Sequence, residues 1–362
     1  MNENHPNGAH TETGVTYRDA GVDIDAKMTV IEYIKERAAK TFGQDAGPIG
    51  HFGGTYRMPG AAGQILVASI DSVGTKVRLA FTLGGKAHYR MGEDIVNHCA
   101  NDILALGARP HFFLDYFGTG RLDAEAVTSV VDGLADACAA NGMALIGGEI
   151  AEMPDMYADG EYDLAGCIVG SVRDTDVVDG SRIQLDDIVI GLPSTGLHTN
   201  GYSLARKIVG MTGDLEHDRE VLNRPLPGGV AGETIGEALL APHRSYVGEV
   251  MPLLEDGLVR GMAHITGGGL SDNLPRTLPE HCIARLDPMS WETPIILDHL
   301  VNAGHVSVAE RYRVFNMGIG FVLVVAPENV DEVMSRLPDG KLIGSIIPRV
   351  TSDESAVQGL SC

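Results

Sequence analysis

The first candidate for chemistry is a carboxylate at the end of a predicted buried strand. Residues 65–71 read ILVASID, and Gly74, Thr75 and Lys76 follow Asp71 closely. Ligands of α/β proteins bind at strand ends, where an acid can hold a Mg²⁺ ion that in turn binds phosphate oxygens. An Asp that caps a turn would give the same pattern, and this segment alone favours neither interpretation.

A second set of polar side chains lines one face of a predicted helix over residues 91–107, MGEDIVNHCANDILALG. At 100° per residue the aliphatic residues and Cys99 share one face, which predicts packing in the core. The opposite face carries Asp94, Asn101 and Asp102 but no Lys or Arg, although a solvated helix face normally carries some. This face therefore favours a binding role for its acids.

A third acid follows a pair of glycines. In residues 145–149, LIGGE, an apolar strand runs into Gly147 and Gly148, which let the backbone approach a ligand while Glu149 reaches a cation. A hairpin turn with solvated acids is the alternative. Two further glycine-rich stretches, GHFGGTY (50–56) and ITGGGL (265–270), offer backbone N–H groups to an anion, but neither matches a P-loop or a dinucleotide-binding turn.

Among the 13 histidines, His198 stands out because it lies in a short polar segment, STGLHTNGYS, rather than on an apolar face. This setting favours a ligand contact or an acid–base role. The other histidines lack the H-x-x-x-H and H-E-x-x-H spacings, so no zinc site is predicted.

These residues need a layered scaffold. Apolar strand patterns alternate with helical patterns over residues 50–175, and a second such series follows a polar segment near residues 173–187. The pattern predicts an α/β (α+β) chain of two domains. We place a disordered N-terminus at 1–15, the domains at 16–175 and 176–350, and a tail at 351–362.

Charge and composition exclude several classes of protein. The 27 Lys and Arg face 49 Asp and Glu, a net charge of −22, which repels nucleic acid and anionic membranes. No signal peptide or membrane-spanning segment is apparent. Five widely spaced cysteines without a C-x-x-C pair predict a reducing, cytoplasmic setting.

Several segments, taken in order, resemble the aminoimidazole ribonucleotide synthetases, which are the cyclo-ligases of purine biosynthesis. GGEIAEMPDMY (147–157) and GLHTNGYSLARKI (196–208) are the most specific to that family. The other matching segments are YRDAGVDIDA (17–26), DSVGTKVRLA (71–80), NDILALGARPHFFLDYFGTGRLD (101–123), DLAGCIVG (163–170), HITGGGLSDNLPR (264–276) and FNMGIGFVL (315–323).

The resemblance implies an N-terminal mixed sheet that dimerises, a ferredoxin-like C-terminal domain, and ATP in the cleft beneath the N-terminal segment. It implies that ATP phosphorylates the formyl amide oxygen of formylglycinamidine ribonucleotide, after which nitrogen attack closes the ring. Other ATP users of the superfamily are the alternatives: formylglycinamidine ribonucleotide synthetase, thiamine-monophosphate kinase and selenide-water dikinase. A non-catalytic nucleotide-binding scaffold is the alternative from another class.

By position, the resemblance assigns roles to individual residues. Asp71, Asp94 and Glu149 would hold Mg²⁺, whereas a need for K⁺ stays open. His198, Asn200 and Asp102 would act near the reacting substrate. The nucleotide would contact Arg18, Asp19, Gly53, Gly54, Gly74, Thr75, Lys76 and Gly148. The sequence departs from the family at Arg18, where Lys is common, and in the 50–56 loop, which carries His51 and Tyr56.

The predicted first-domain strands also bear on assembly. They are nearly continuous in apolar residues, which predicts that both sheet faces are covered. The two long helices of that domain can cover only one face. We therefore expect a second copy of the same sheet on the other, related by a two-fold axis.

Overall fold

The computed structural model describes residues 14–360. The first 13 residues, which make up most of the predicted disordered N-terminus, and residues 361–362 lie outside the described part. The described chain forms two sheets, one in each half. In the first half the elements are α1 (Ile24–Ala39), β1 (Gly54–Arg57), β2 (Gln64–Ser72), α2 (Val77–Leu83), α3 (Lys86–Leu104), β3 (Arg109–Thr119), α4 (Ala124–Ala140), β4 (Ala144–Glu152) and β5 (Tyr162–Arg173).

The first sheet has the order β1-β2-β5-β3-β4 and is mixed, because only β3 and β4 run parallel. Helices α3 and α4 pack on one of its faces, with Ile95 and Phe113 fully buried between helix and sheet. The apolar residues of α3 face this core, and Cys99 is 0% exposed, as predicted. The mixed α/β architecture expected from the sequence is confirmed.

Two glycines let α3 and α4 cross at close range. A Cβ atom at Gly92 would lie 2.0 Å from the Val130 carbonyl oxygen, and one at Gly133 would lie 2.0 Å from the Tyr89 carbonyl oxygen. Only the absence of a side chain at both positions permits this approach. The crossing holds the polar face of α3 in a fixed position above the end of β2.

The second half forms a six-stranded sheet with the order β11-β8-β10-β6-β9-β7, antiparallel except between β11 and β8. Its strands are β6 (Ile188–Pro193), β7 (Val259–His264), β8 (Cys282–Leu286), β9 (Ile319–Val325), β10 (Lys341–Pro348) and β11 (Val357–Gln358). Its helices are α5 (Tyr202–Val209), α6 (Leu215–Leu222), α7 (Ile235–Leu239), α8 (Val247–Glu255), α9 (Gly269–Asn273), α10 (Ile295–Ala303), α11 (Val308–Val314) and α12 (Val330–Arg336).

The structure differs from the expectation at both ends of the described chain. Residues 28–39 carry Val30, Ile31 and Ile34 at a spacing that predicts a helix with one buried face. Helix α1 forms there, but none of its residues is buried, and Val30 and Ile34 are 56% and 49% exposed. The expected buried face is therefore wrong for the single chain. The predicted tail contains β11, which pairs with β8 and so extends the second sheet to Gln358.

Within residues 14–360, no helix combines the length and the apolar character that crossing a membrane requires.

Candidate functional site

The polar face of α3 lies against residues 241–246 of the second domain. Asn97 Nδ2 donates a 2.8 Å hydrogen bond to the His243 carbonyl. Asn101 donates to the Arg244 carbonyl at 2.8 Å and accepts from the Tyr246 N–H at 2.9 Å. The lack of Lys and Arg on this face thus reflects an interface between the domains and not an open metal site.

Lys76 and Asp94 form an ion pair within this interface. Their side chains are both 0% exposed, and Lys76 Nζ lies 2.6 Å from Asp94 Oδ2. Burial lowers the pKa of Lys76 and raises that of Asp94, and the attraction between the two charges opposes both shifts. Lys76 is predicted to contact the nucleotide and Asp94 the metal, but in this structure neither side chain is open to a ligand.

Asp71 does reach the surface between the domains. Its carboxylate is 45% exposed and lies 2.9 Å from Nε2 of the buried His98. Burial opposes ionisation of Asp71, but the charge and hydrogen bond of His98 lower its pKa to about 2, and Lys27 in the first turns of α1 adds to this effect. Burial also disfavours the charged His98, yet Asp71 raises the pKa of His98 to about 9. The two groups form a carboxylate–imidazolium pair at neutral pH.

Four histidines from both domains meet behind Asp71. His98 Nδ1 and His243 Nδ1 both contact the Thr199 hydroxyl, and His243 Nε2 lies 3.1 Å from His264 Nε2. His264 Nδ1 is in turn 2.8 Å from Asp102 Oδ1. These contacts form a continuous chain of polar side chains that ends on Asp102, whose other oxygen accepts a 2.9 Å hydrogen bond from Ser69.

His198 completes the cluster, but its side chain is not open to a substrate in this structure. The residue is 1% exposed, its ring stacks on His243 with centroids 4.2 Å apart, and Nε2 accepts from the Thr195 N–H at 3.3 Å. Burial holds the pKa of His198 well below its usual value, so the ring is neutral. The predicted contact of His198 with the reacting substrate stays a prediction, and the neighbouring Asn200 is half-buried.

Glu149 lies far from Asp71. The strand register places Asp71, Gly166, Asp115 and Gly148 in one row across β2, β5, β3 and β4. At about 4.8 Å per strand, this row spans about 14 Å. Glu149 and Gly148 are exposed, and Glu149 pairs with Tyr116 on the sheet face opposite Asp71. Within one chain the predicted metal set of Asp71, Asp94 and Glu149 does not converge.

The other predicted nucleotide contacts are exposed or half-buried. Gly74 and Thr75 follow the end of β2, and Thr75 Oγ1 lies 2.9 Å from Ser203 Oγ at the start of α5. The turn with Arg18 and Asp19 is tied to the second domain, since Lys207 donates to the Asp19 carbonyl. Arg18 forms a local ion pair with Asp23 at 2.9 Å.

Arg276, which the sequence did not single out, holds the 50–56 loop with Gly53 and Gly54 in place. The Arg276 guanidinium lies 3.9 Å from the Phe52 ring centroid and donates to the carbonyls of Gly50 and His51. Its place in HITGGGLSDNLPR was the available signal. His98 and His264 also lay in segments already singled out, whereas His243 carries no local signal.

Family models match both halves of the chain. Residues 43–172 match the N-terminal domain of AIR synthase related proteins, and residues 184–358 match the C-terminal domain. A solved structure of AaThiL complexed with AMPPCP and TMP has a TM-score of 0.61 at 15% identity and covers 93% of this chain and 94% of that one. The solved structure of the hydrogenase maturation protein HypE has a TM-score of 0.58 at 16% identity and covers 83% of this chain and 86% of that one. These structures share the fold.

Closer relatives are the phosphoribosylformylglycinamidine cyclo-ligases. The protein of that name from Desulfitobacterium hafniense (strain DSM 10664 / DCB-2) is 48% identical over 327 residues, which is 90% of this chain and 93% of the relative. The one from Burkholderia pseudomallei (strain 668) is 46% identical over 338 residues, or 93% of each. The chain therefore belongs to the AIR synthase related family, among its cyclo-ligases.

Proposed function

We propose that this protein catalyses the ATP-dependent ring closure of formylglycinamidine ribonucleotide to aminoimidazole ribonucleotide, with release of ADP and phosphate. The supporting observation is identity of 46–48% to cyclo-ligases over at least nine-tenths of the chain. Thiamine-monophosphate kinases share the fold at far lower identity, such as 18% for the one from Stenotrophomonas maltophilia K279a.

The reaction needs activation of an amide oxygen, which is a poor leaving group. Transfer of the γ-phosphoryl group of ATP forms an O–P bond at that oxygen and releases ADP. Attack by the substrate's own nitrogen then forms the C–N bond, breaks the C–O bond, expels phosphate and frees a proton. Such phosphoryl transfer depends on positioning and charge neutralisation more than on a strong nucleophile.

Different residues of this chain are suited to neutralising charge and to positioning the phosphates. Asp71 fits a Mg²⁺ site because its carboxylate is ionised and half-exposed, accepts from the Ser72 N–H and lies 2.9 Å from His98 Nε2. Mg²⁺ held there would neutralise charge on the ATP phosphates. Backbone N–H groups of Gly53, Gly54, Gly74 and Thr75 are the proposed phosphate donors, and the Arg18–Asp19 turn is proposed to contact the nucleotide.

Asn200 and Asp102 are the proposed contacts to the reacting substrate. Asn200 lies beside the HITGGG segment, where a Cβ atom at Gly267 would be 3.1 Å from Asn200 Oδ1. Asp102 is bonded to His264, whose pKa is lowered by burial although Asp102 opposes this. We assign the proton released by the attacking nitrogen to this pair.

A single assay tests the proposal. Purified protein with ATP, Mg²⁺ and formylglycinamidine ribonucleotide should give ADP, phosphate and aminoimidazole ribonucleotide in equal amounts. ATP turnover that needs no substrate, or ADP formation only with thiamine monophosphate or selenide, would contradict it.

We also propose that two copies associate through the open face of the first sheet. Ala68 and Ile70 are exposed on this face, Ile70 by 73%, and Leu114, Tyr116 and Val169 are half-buried beside them. A second sheet would remove these apolar side chains from water.

We also propose a cytoplasmic location, since Cys99, Cys138, Cys167 and Cys282 are unpaired.

A further inference from the structure

The ammonium group of Lys76 is enclosed by protein groups, and its side chain is 0% exposed. An ammonium group carries three N–H donors. In this structure Nζ lies 2.6 Å from Asp94 Oδ2 and donates 2.9 Å hydrogen bonds to the carbonyls of His198 and Ala241. Two of its N–H donors are therefore directed at backbone carbonyls of the second domain, and its charge is paired with Asp94.

Asp94 is equally occupied. Its Oδ2 faces Lys76, and its Oδ1 accepts a 2.7 Å hydrogen bond from the His243 N–H. A divalent ion would have to displace the Lys76 ammonium from a site that is 0% exposed. Removing one member of such a pair leaves an uncompensated buried charge, which is strongly destabilising.

The backbone atoms that this pair holds belong to residues of the site. His198 has φ +62°, a left-handed conformation that costs energy for a residue other than Gly. The hydrogen bond from Lys76 fixes the His198 carbonyl in that conformation, and Thr199 follows immediately. The Thr199 hydroxyl then contacts His98, which contacts Asp71. The position of Asp71 is thus connected to the buried pair through three residues.

We infer that Lys76 and Asp94 are positioning residues: they form a clamp between the domains that orients the 198–200 turn and the His98–Asp71 pair, and they contact neither ATP nor Mg²⁺. The inference rests on the proposed function, because the reaction for which the 198–200 turn is positioned is the proposed ring closure. It differs from the family resemblance, which placed both residues on the nucleotide and its metal.

The experiment separates binding from turnover in the full-length protein. Asp94→Asn and Lys76→Met should each lower kcat about 100-fold, because small displacements of reacting groups cost that much. The dissociation constant of AMPPCP, measured by calorimetry, should change less than three-fold. A ten-fold or larger loss of AMPPCP binding would overturn the inference, as would unchanged kcat.

A double variant covers the case in which a single variant fails to fold. Lys76→Met/Asp94→Asn removes both charges and keeps an acceptor for the His243 N–H. Its melting temperature should lie above that of either single variant, because the two residues stabilise each other. Additive losses would contradict a clamp. The matched control is Arg90→Met/Glu93→Gln, which removes a partly exposed ion pair on α3, the helix of Asp94. It should leave kcat within two-fold.

AMPPCP binding is measured without turnover, so the inference and the proposed function can fail separately. A wild-type protein that binds AMPPCP but forms no aminoimidazole product contradicts only the proposed reaction. The binding comparison between wild type and variants still decides whether the clamp touches the nucleotide.

Discussion

At the scale of single residues, Asp71 is the most informative position to change. Asp71→Asn removes the charge that we assign to the metal but keeps an acceptor for His98. We expect kcat to fall 100-fold or more and the Mg²⁺ requirement to rise, with a melting temperature within a few degrees of wild type. Asp132→Asn, which changes an exposed acid on α4, serves as the control. Full activity at the original Mg²⁺ concentration would remove Asp71 from the metal site.

The His98–Asp71 pair also predicts how stability depends on pH in protein kept free of metal by a chelator. The pKa of His98 is raised from its usual 6.5 to about 9, so the stability it contributes is complete below pH 6.5 and is lost as pH rises to about 9. The difference in melting temperature between wild type and His98→Gln should therefore shrink steadily over this interval. A difference that stays constant between pH 6 and pH 10 would show that His98 is neutral.

At the scale of elements, the crossing of α3 and α4 makes Gly92 a sensitive position. In Gly92→Ala the added methyl group would press on the Val130 carbonyl and push the helices apart. We expect a loss of about 1–3 kcal/mol in the free energy of unfolding, measured by urea titration. Gly248→Ala in α8 is the control, because a Cβ atom there meets nothing within 4 Å. Equal stability of the two variants would mean that the crossing can relax at no cost.

The same scale shows what the sequence could and could not predict. The spacing of apolar residues correctly predicts which side of α3 enters the core, because helical periodicity fixes it. The same spacing shows that the opposite side of α3 is polar, but it does not show which segment contacts that side. In the structure this segment is 241–246 of the other domain. Similarly, the helical spacing of Val30, Ile31 and Ile34 predicts a buried side for α1, yet no residue of α1 is buried within residues 14–360.

The position of Glu149 depends on one irregularity that composition cannot show. Phe113 pairs with Leu145, but the next residue of β3, Leu114, pairs with Gly147, so Ile146 is an extra residue in β4. Because side chains alternate along a strand, one inserted residue moves every later side chain to the other face. Without this bulge, Glu149 would share the face of Asp71, although still three strands away.

At the scale of the whole molecule, the uncovered sheet face predicts a homodimer. Val169 lies on that face in the central strand β5, and Val169→Asp should place a charge in the proposed interface. We expect light scattering at low micromolar concentration to give twice the chain mass for wild type and the single mass for the variant. Met289→Asp, at an 87% exposed position in the other domain, should leave the mass unchanged. A wild type that is monomeric and fully active would contradict the dimer.

Strand β11 has a practical consequence for handling this protein. It covers the outer edge of β8, where the Ala284 N–H donates to the Ala356 carbonyl at 2.9 Å, and a Cβ atom at Gly359 would lie 1.9 Å from the Leu286 carbonyl oxygen. Truncation before residue 355 would strip that edge and leave unsatisfied backbone groups beside apolar Ile283, a template for aggregation. Affinity tags fused directly after residue 362 would begin only four residues past the paired strand. Expression vectors should therefore carry a spacer there.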